Sequence, residues 1–139
     1  MHTISDSGEL ADAELIELYS SVGWMAYAAD PENLRKAIVG SSYVVTARGA
    51  DGVLIGLARA ISDDATIAYV QDILVRPSVQ RLGAGRAMVE KILERYRHIR
   101  QIVLLTDDWA SQRAFYESMA FVEAHDFEPS PLRAFVRIA

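Results

Sequence analysis

Gln80-Arg81-Leu82-Gly83-Ala84-Gly85-Arg86 is the stretch whose residue types and spacing could hold an anion. The apolar run before it, Ala68 to Val75, reads as a buried strand. Arg76-Pro77-Ser78-Val79 breaks that strand, and from Arg86 onward the pattern is helical. The first N–H groups of a helix lack intrahelical partners, and the macrodipole adds partial positive charge there. A strand feeding a glycine-containing turn at a helix start is therefore a phosphate cradle. Gly83 and Gly85 remove the Cβ that would block a close approach. Arg81 and Arg86 either add charge to the cradle or lie in solvent, although arginine at a helix start is disfavoured unless an anion is near. Two further groups could do chemistry: the Tyr116 phenol on a helical stretch and the Asp72 carboxylate within an otherwise apolar strand.

With 139 residues, 51% of them hydrophobic, the chain is long enough for one substantial core, and residues 1–139 read as a single domain. The absence of cysteine excludes a disulfide, a thiolate metal site and a cysteine nucleophile, and fits a reducing, cytoplasmic setting. No apolar stretch approaches membrane-spanning length, and Met1 to Asp6 lacks the basic and hydrophobic segments of a leader, so no membrane partner is expected. A net charge of −5 argues against broad nucleic-acid binding and is compatible with a cationic substrate. His2, His98 and His125 are scattered, and no spacing suggests a metal site or a Ser-His-acid triad.

Ile73-x-Val75-x-Pro77, Gln80-x-x-Gly83-x-Gly85 and the amphipathic helix after them resemble the acetyl-coenzyme A motif of the GNAT superfamily of N-acetyltransferases. Ala114-Phe115-Tyr116-Glu117-Ser118-Met119-Ala120-Phe121 is similar to that family's second signature. The likeness runs from about Ser42 to the C-terminus. Trp109 stands where the family often has Asn, and Ala120 where it usually has Gly.

The resemblance implies an α/β (α+β) fold with a mixed, mostly antiparallel sheet, helices on both faces, and two parallel strands that splay to admit the pantetheine of acetyl-CoA. It implies direct attack of a primary amine, most simply that of a small molecule, on the acetyl thioester. The alternatives are a catalytically silent acyl-CoA-binding module and an enzyme acting on a protein lysine or N-terminus. The turn backbone from Gln80 to Arg86 would hold the pyrophosphate. Main-chain groups of Ile73, Leu74 and Val75 would pair with the pantetheine as an added strand does and supply an oxyanion donor. Family members often pair as homodimers.

Tyr116 is then the candidate acid. A phenol near pKa 10 facing a thiol near 8.5 makes full proton transfer uphill by roughly 2 kcal/mol, so a hydrogen bond that strengthens as the thiolate forms is the more economical role. Asp72 is the candidate base. An aspartate near pKa 3.9 abstracts a proton from an ammonium near 10 only at a cost of about 8 kcal/mol, so binding the ammonium or relaying through water fits better. Asp72 could instead pair with Arg59, which also lies in an apolar strand and needs either a partner or a ligand.

These groups need elements to carry them. Leu10 to Tyr19 reads as a first helix with Asp12 as its cap, and Pro31 to Gly40 as a second with Asp30 as cap. Trp24 and Tyr27 between them either enter the core or wall an acceptor cleft. Ser42 to Arg48 and Val53 to Ile61 read as a hairpin around Gly49-Ala50-Asp51-Gly52. The helix from Gly83 to Arg97 turns Met88, Val89, Ile92, Leu93 and Tyr96 to one face. Gln101 to Thr106 is a further buried strand, parallel to the central one through a right-handed crossover. Asp107-Asp108 caps a helix, Trp109 to Met119, that ends on a left-handed Ala120. Phe121 to Asp126 and Arg133 to Ile138 read as a final antiparallel pair.

Overall fold

The computed structural model describes residues 2–139; Met1, with which the leader and single-domain readings begin, lies outside them. Two compact units are present, one ending at Leu105 and the other spanning Thr106–Ala139. The first carries strands β1 His2–Ser5, β2 Tyr43–Gly49, β3 Leu54–Ser62, β4 Ile67–Val75 and β5 Gln101–Leu104, and helices α1 Asp12–Ser21, α2 Met25–Ala28, α3 Pro31–Val39 and α4 Ala84–Arg95. The second carries helix α5, Ala110–Glu117, and a 3-10 turn at Ala124–Asp126.

The sheet order is β1-β2-β3-β4-β5, antiparallel except for the β4–β5 pair, as the βαβ spacing requires. Apolar side chains cover both faces. Met88, Ile92 and Tyr96 of the α4 segment pack on Val45, Ala47, Ala58, Ala60, Ala68 and Val70. On the other face Leu15, Leu18 and Tyr19 of α1 and Leu34 and Ile38 of α3 cover Leu54, Leu57 and Leu74. Helix α4 approaches β3 at Gly56 because no side chain stands there. A Cβ on Gly56 would lie 2.9 Å from Met88 Cε and 3.1 Å from the Leu74 carbonyl.

A bulge in β4 decides which face each side chain meets. Arg59 opposes Asp72 and Ala60 opposes Val70, so Gln71 is an extra residue. Before it, Ala68 and Val70 point to the α4 face; after it, Ile73 and Val75 lean to that face and Leu74 joins the α1 face. The insertion thus turns Asp72 toward α1, on the same side as Arg59 directly across the ladder.

Several local expectations need correcting. Ala11, not Asp12, precedes the first turn of α1; Glu14 reaches back to the Ala11 N–H at 2.9 Å, and Asp12 pairs with Arg35. Trp109 occupies the N-cap of α5, with no side-chain cap from Asp107 or Asp108. Strand β1 is unanticipated, because four residues of mixed polarity carry no periodicity. Conversely, 121–126 and 133–138 form no strand. The Asp30 cap is present, its carboxylate accepting from Asn33 N–H at 3.2 Å with Pro31 opening the helix. Ala120 is left-handed at φ 67°, and the bonds from Phe121 N–H to Tyr116 O and from Ala120 N–H to Glu117 O form a Schellman stop.

Candidate active site

Strand β5 pairs with β4 only from Ile67 to Val70, so no strand among the described residues borders β4 on that side from Gln71 to Val75. Arg76 N–H donates to the Ile55 carbonyl at 2.7 Å. Antiparallel alternation then turns the main chains of Leu74 and Asp72 to β3 and leaves those of Ile73 and Val75 facing the open edge. The Gln80 side-chain amide donates to the Val75 carbonyl at 3.1 Å, tying the turn back to that edge. Arg76 anchors the strand end from the other side, with Nη2 on the Leu54 carbonyl at 3.1 Å and Nη1 on Glu17 at 2.9 Å.

The turn that follows alternates in handedness. Arg81 has φ 71° and Gly83 has φ 88°, a region that favours glycine. Such alternation aims successive N–H groups into a concavity of the kind that binds anions. A Cβ built on Gly83 meets nothing within 4 Å, so the space before the helix is open. The first helical bond runs from Ala87 N–H to Gly83 O, which leaves the N–H groups of Ala84 and Gly85 outside the ladder. Gly83 at the N-cap has no side chain to cap this end, and no acid lies in the first turn. Leu82 is exposed, the Ala84 methyl is buried in the α4-face core, and Arg86 Nη1 lies 3.5 Å from Glu90. Leu74 contributes a buried side chain to the opposite core.

Asp72 is 1% exposed and Arg59 5%. Arg59 Nε donates to Asp72 Oδ2 at 2.5 Å, and the Tyr19 hydroxyl donates to the same oxygen at 2.8 Å. Burial works against the charge on Arg59, but the bond to Asp72 outweighs it, and the guanidinium is held more firmly protonated than usual. Burial first, and the Asp72 charge second, push the Tyr19 phenol far above its ordinary value. Asp72 therefore belongs to a buried network in which its charge is compensated. Of the two readings of Arg59, geometry supplies the ion pair. Nothing in sequence pointed to Tyr19, which lies 53 positions from its partner.

Trp24 and Tyr27 are half-buried and stack around Tyr19, with centroid separations of 6.0 Å from Tyr19 to Trp24 and 5.4 Å from Tyr19 to Tyr27. The Tyr27 hydroxyl accepts from Gln71 Nε2 at 3.2 Å. These rings pack on the α1-face core beside Tyr19 and stay partly exposed next to the bulge. A separate cleft of about 250 Å³, lined by Asp6, Leu10, Arg35, Ile38, Val44 and Thr46 among others, lies by β1 and β2 at the far end of the sheet order, and none of the expected site residues lines it.

In the second unit Tyr116 is 9% exposed, packed edge-on against Phe115 and Phe121, and burial pushes its phenol up to about 12. Trp109 is exposed, and its carbonyl accepts from Gln112 and Arg113 N–H. Among the described residues no group of three His, Cys, Asp or Glu side chains could hold a metal ion, and no helix is long and apolar enough to cross a membrane.

Residues 13–121 match the model of the Acetyltransferase (GNAT) family, a span that runs across the boundary at Leu105. The chain is 34% identical over 136 residues to GCN5-related N-acetyltransferase 2, chloroplastic, of Arabidopsis thaliana, a match that covers 84% of the chain and 52% of that protein. It is 32% identical over 130 residues to histone acetyltransferase TAP1 of Glycine max, covering 84% and 54%. The chain thus spans about half the length of these two relatives. A GNAT-family acetyltransferase from Streptococcus pneumoniae TIGR4 superposes with a TM-score of 0.81 at 28% identity, covering 99% of this chain and 100% of that one.

Proposed function

Since the chain belongs to the acetyltransferase (GNAT) family, we propose that it uses acetyl-CoA to acetylate a primary amine, and that the acceptor is a small molecule. The observation that carries this reading is the open edge of β4 leading, through a turn of alternating handedness, to a helix start whose N-cap is a glycine. Acetyl-CoA supplies an activated thioester, whose acyl carbon forms a C–N bond with the amine as its C–S bond breaks.

The residues fit that cosubstrate. The N–H groups of Ala84 and Gly85 lie outside the helical ladder beside the open space at Gly83, where a pyrophosphate would accept from them, with the charges of Arg81 and Arg86 nearby in the turn. Ile73 and Val75 offer main-chain groups to the pantetheine arm in the manner of an added strand, and to a main-chain N–H of this strand, that of Ile73, we assign the developing oxyanion. Gln80 keeps the turn and this edge in register.

Tyr116 serves the leaving sulfur as a hydrogen-bond donor. With its phenol at about 12 and a thiol near 8.5, complete proton transfer is about 5 kcal/mol uphill, so the thiolate departs on that hydrogen bond and receives, through solvent, the proton the amine releases. We give Asp72 a structural role rather than that of the base, a reading supported by its burial and by the guanidinium and phenol that share its Oδ2. The amine therefore attacks in its neutral form against the wall of Trp24 and Tyr27, and the proton it sheds on forming the amide passes to solvent.

A second reading, a protein lysine or N-terminus as acceptor, draws support from the histone acetyltransferase among the relatives. The test is free-thiol release from acetyl-CoA with polyamines, aryl amines, aminoglycosides and short peptides. Turnover of a small amine supports the first reading and turnover of peptides alone the second. Binding of acetyl-CoA without any turnover identifies an acyl-CoA-binding module. We extend the proposal to a cytoplasmic setting, consistent with the cysteine-free composition.

A further inference from the structure

Both residues at the β4 bulge are gripped by tyrosine hydroxyls from one aromatic cluster. We propose that Tyr19 and Tyr27 are positioning residues that clamp the bulge and so fix the direction of the Ile73 main chain for acyl transfer; this rests on the acetyltransferase reading. The Tyr19 hydroxyl donates to Asp72 Oδ2 at 2.8 Å, and Gln71 Nε2 donates to the Tyr27 hydroxyl at 3.2 Å. The two rings are 5.4 Å apart at 58°, and Trp24 braces them at 6.0 and 6.2 Å. Helices α1 and α2 thereby act on consecutive residues, 71 and 72, at the one place where the β3–β4 ladder is interrupted.

A bulge leaves its extra residue without a ladder partner and bends the strand, so its orientation depends on contacts outside the sheet. Charge compensation of Asp72 does not need Tyr19, since Arg59 already meets it at 2.5 Å and is itself steadied by the Ser41 hydroxyl at 3.3 Å. The phenol adds direction: with Arg59 it leaves the carboxylate little rotational freedom. Ile73 follows one peptide later with its main chain on the open edge, so a tilt at Asp72 passes to it directly. The pyrophosphate cradle starts eight residues further on and is anchored separately, by Arg76 on the Leu54 carbonyl and Gln80 on Val75. The clamp should therefore govern turnover and leave cosubstrate affinity alone.

Tyr19→Phe and Tyr27→Phe, which keep the rings and remove the hydroxyls, test this with three readouts: coenzyme A affinity by calorimetry, steady-state kinetics with the best amine, and amide hydrogen exchange at residues 70–73. We expect kcat to fall by about tenfold in each variant. Coenzyme A affinity should stay within about twofold of the parent's, and exchange at Gln71, Asp72 and Ile73 should quicken. A kcat unchanged in folded variants, or one lost only in step with the folded fraction, overturns the proposal. If Tyr19→Phe fails to fold, Tyr27→Phe at the half-exposed end of the cluster decides by the same readouts. A parent that binds no coenzyme A and acetylates no amine defeats the acetyltransferase reading instead. The exchange data then still judge the clamp: quickened exchange upholds it and unchanged exchange overturns it.

Discussion

Asp72 shows how burial and partners decide what a residue can do. In the strand sequence it is a lone acid and a natural candidate for base; in the folded chain it is one end of an ion pair shielded from water. Asp72→Asn leaves the Arg59 charge uncompensated and should destabilise the protein by about 3–5 kcal/mol in urea denaturation. Replacing both, Arg59→Met with Asp72→Leu, should restore most of that loss. A small effect of the single substitution would mean that water reaches the pair. Asp63 makes a different argument. The Thr66 hydroxyl and the N–H groups of Thr66, Ala65 and Ile67 hold its carboxyl well below the usual range. Its folded pKa lies under the unfolded value near 3.9, so its contribution is complete above about pH 4 and is lost as pH falls through the folded pKa. Asp63→Asn keeps a carbonyl acceptor without the titration, so its stability should decline less steeply than the parent's on acidification below pH 4. Parallel declines in urea melts would contradict this. For Tyr116→Phe the expectation is a fall in turnover of about a hundredfold with coenzyme A affinity nearly intact, as suits a donor used only while the sulfur leaves.

At the scale of elements, the β4–turn–α4 unit was legible because its parts are local: an apolar run, a proline break, two glycines and a 3.6-residue period. The Asp30–Pro31 helix start and the left-handed Ala120 were legible for the same reason. The bulge at Gln71 was not, since it exists only in the register between two strands, and neither was the Tyr19 bond that depends on it. Strand β1 draws its stability from pairing with β2 more than forty positions away. The error at the C-terminus runs the other way. Alternating apolar residues such as Val136 and Ile138 satisfy a strand pattern, yet a strand needs a ladder partner, and both side chains stand exposed. The contact between α4 and β3 gives an element-scale prediction. Gly56→Val pushes against Met88 Cε and the Leu74 carbonyl, and should cost about 1–3 kcal/mol. Met88→Ala should recover part of that loss, because a methionine end can yield where a main-chain carbonyl cannot. Additive destabilisation by the two substitutions would contradict the assigned contact.

For the molecule as a whole, the proposed division of labour puts the grip on an anionic cosubstrate in the turn after β4 and catalytic positioning in other parts of the chain. Calorimetric titration of coenzyme A into the parent, Gly83→Val and Tyr116→Phe tests that division most directly. A valine at φ 88° strains the turn even though the space around it is open. The parent should take up one coenzyme A per chain, Tyr116→Phe should match it, and Gly83→Val should bind at least about tenfold more weakly. No uptake by the parent, or equal affinity in Gly83→Val, would contradict the account.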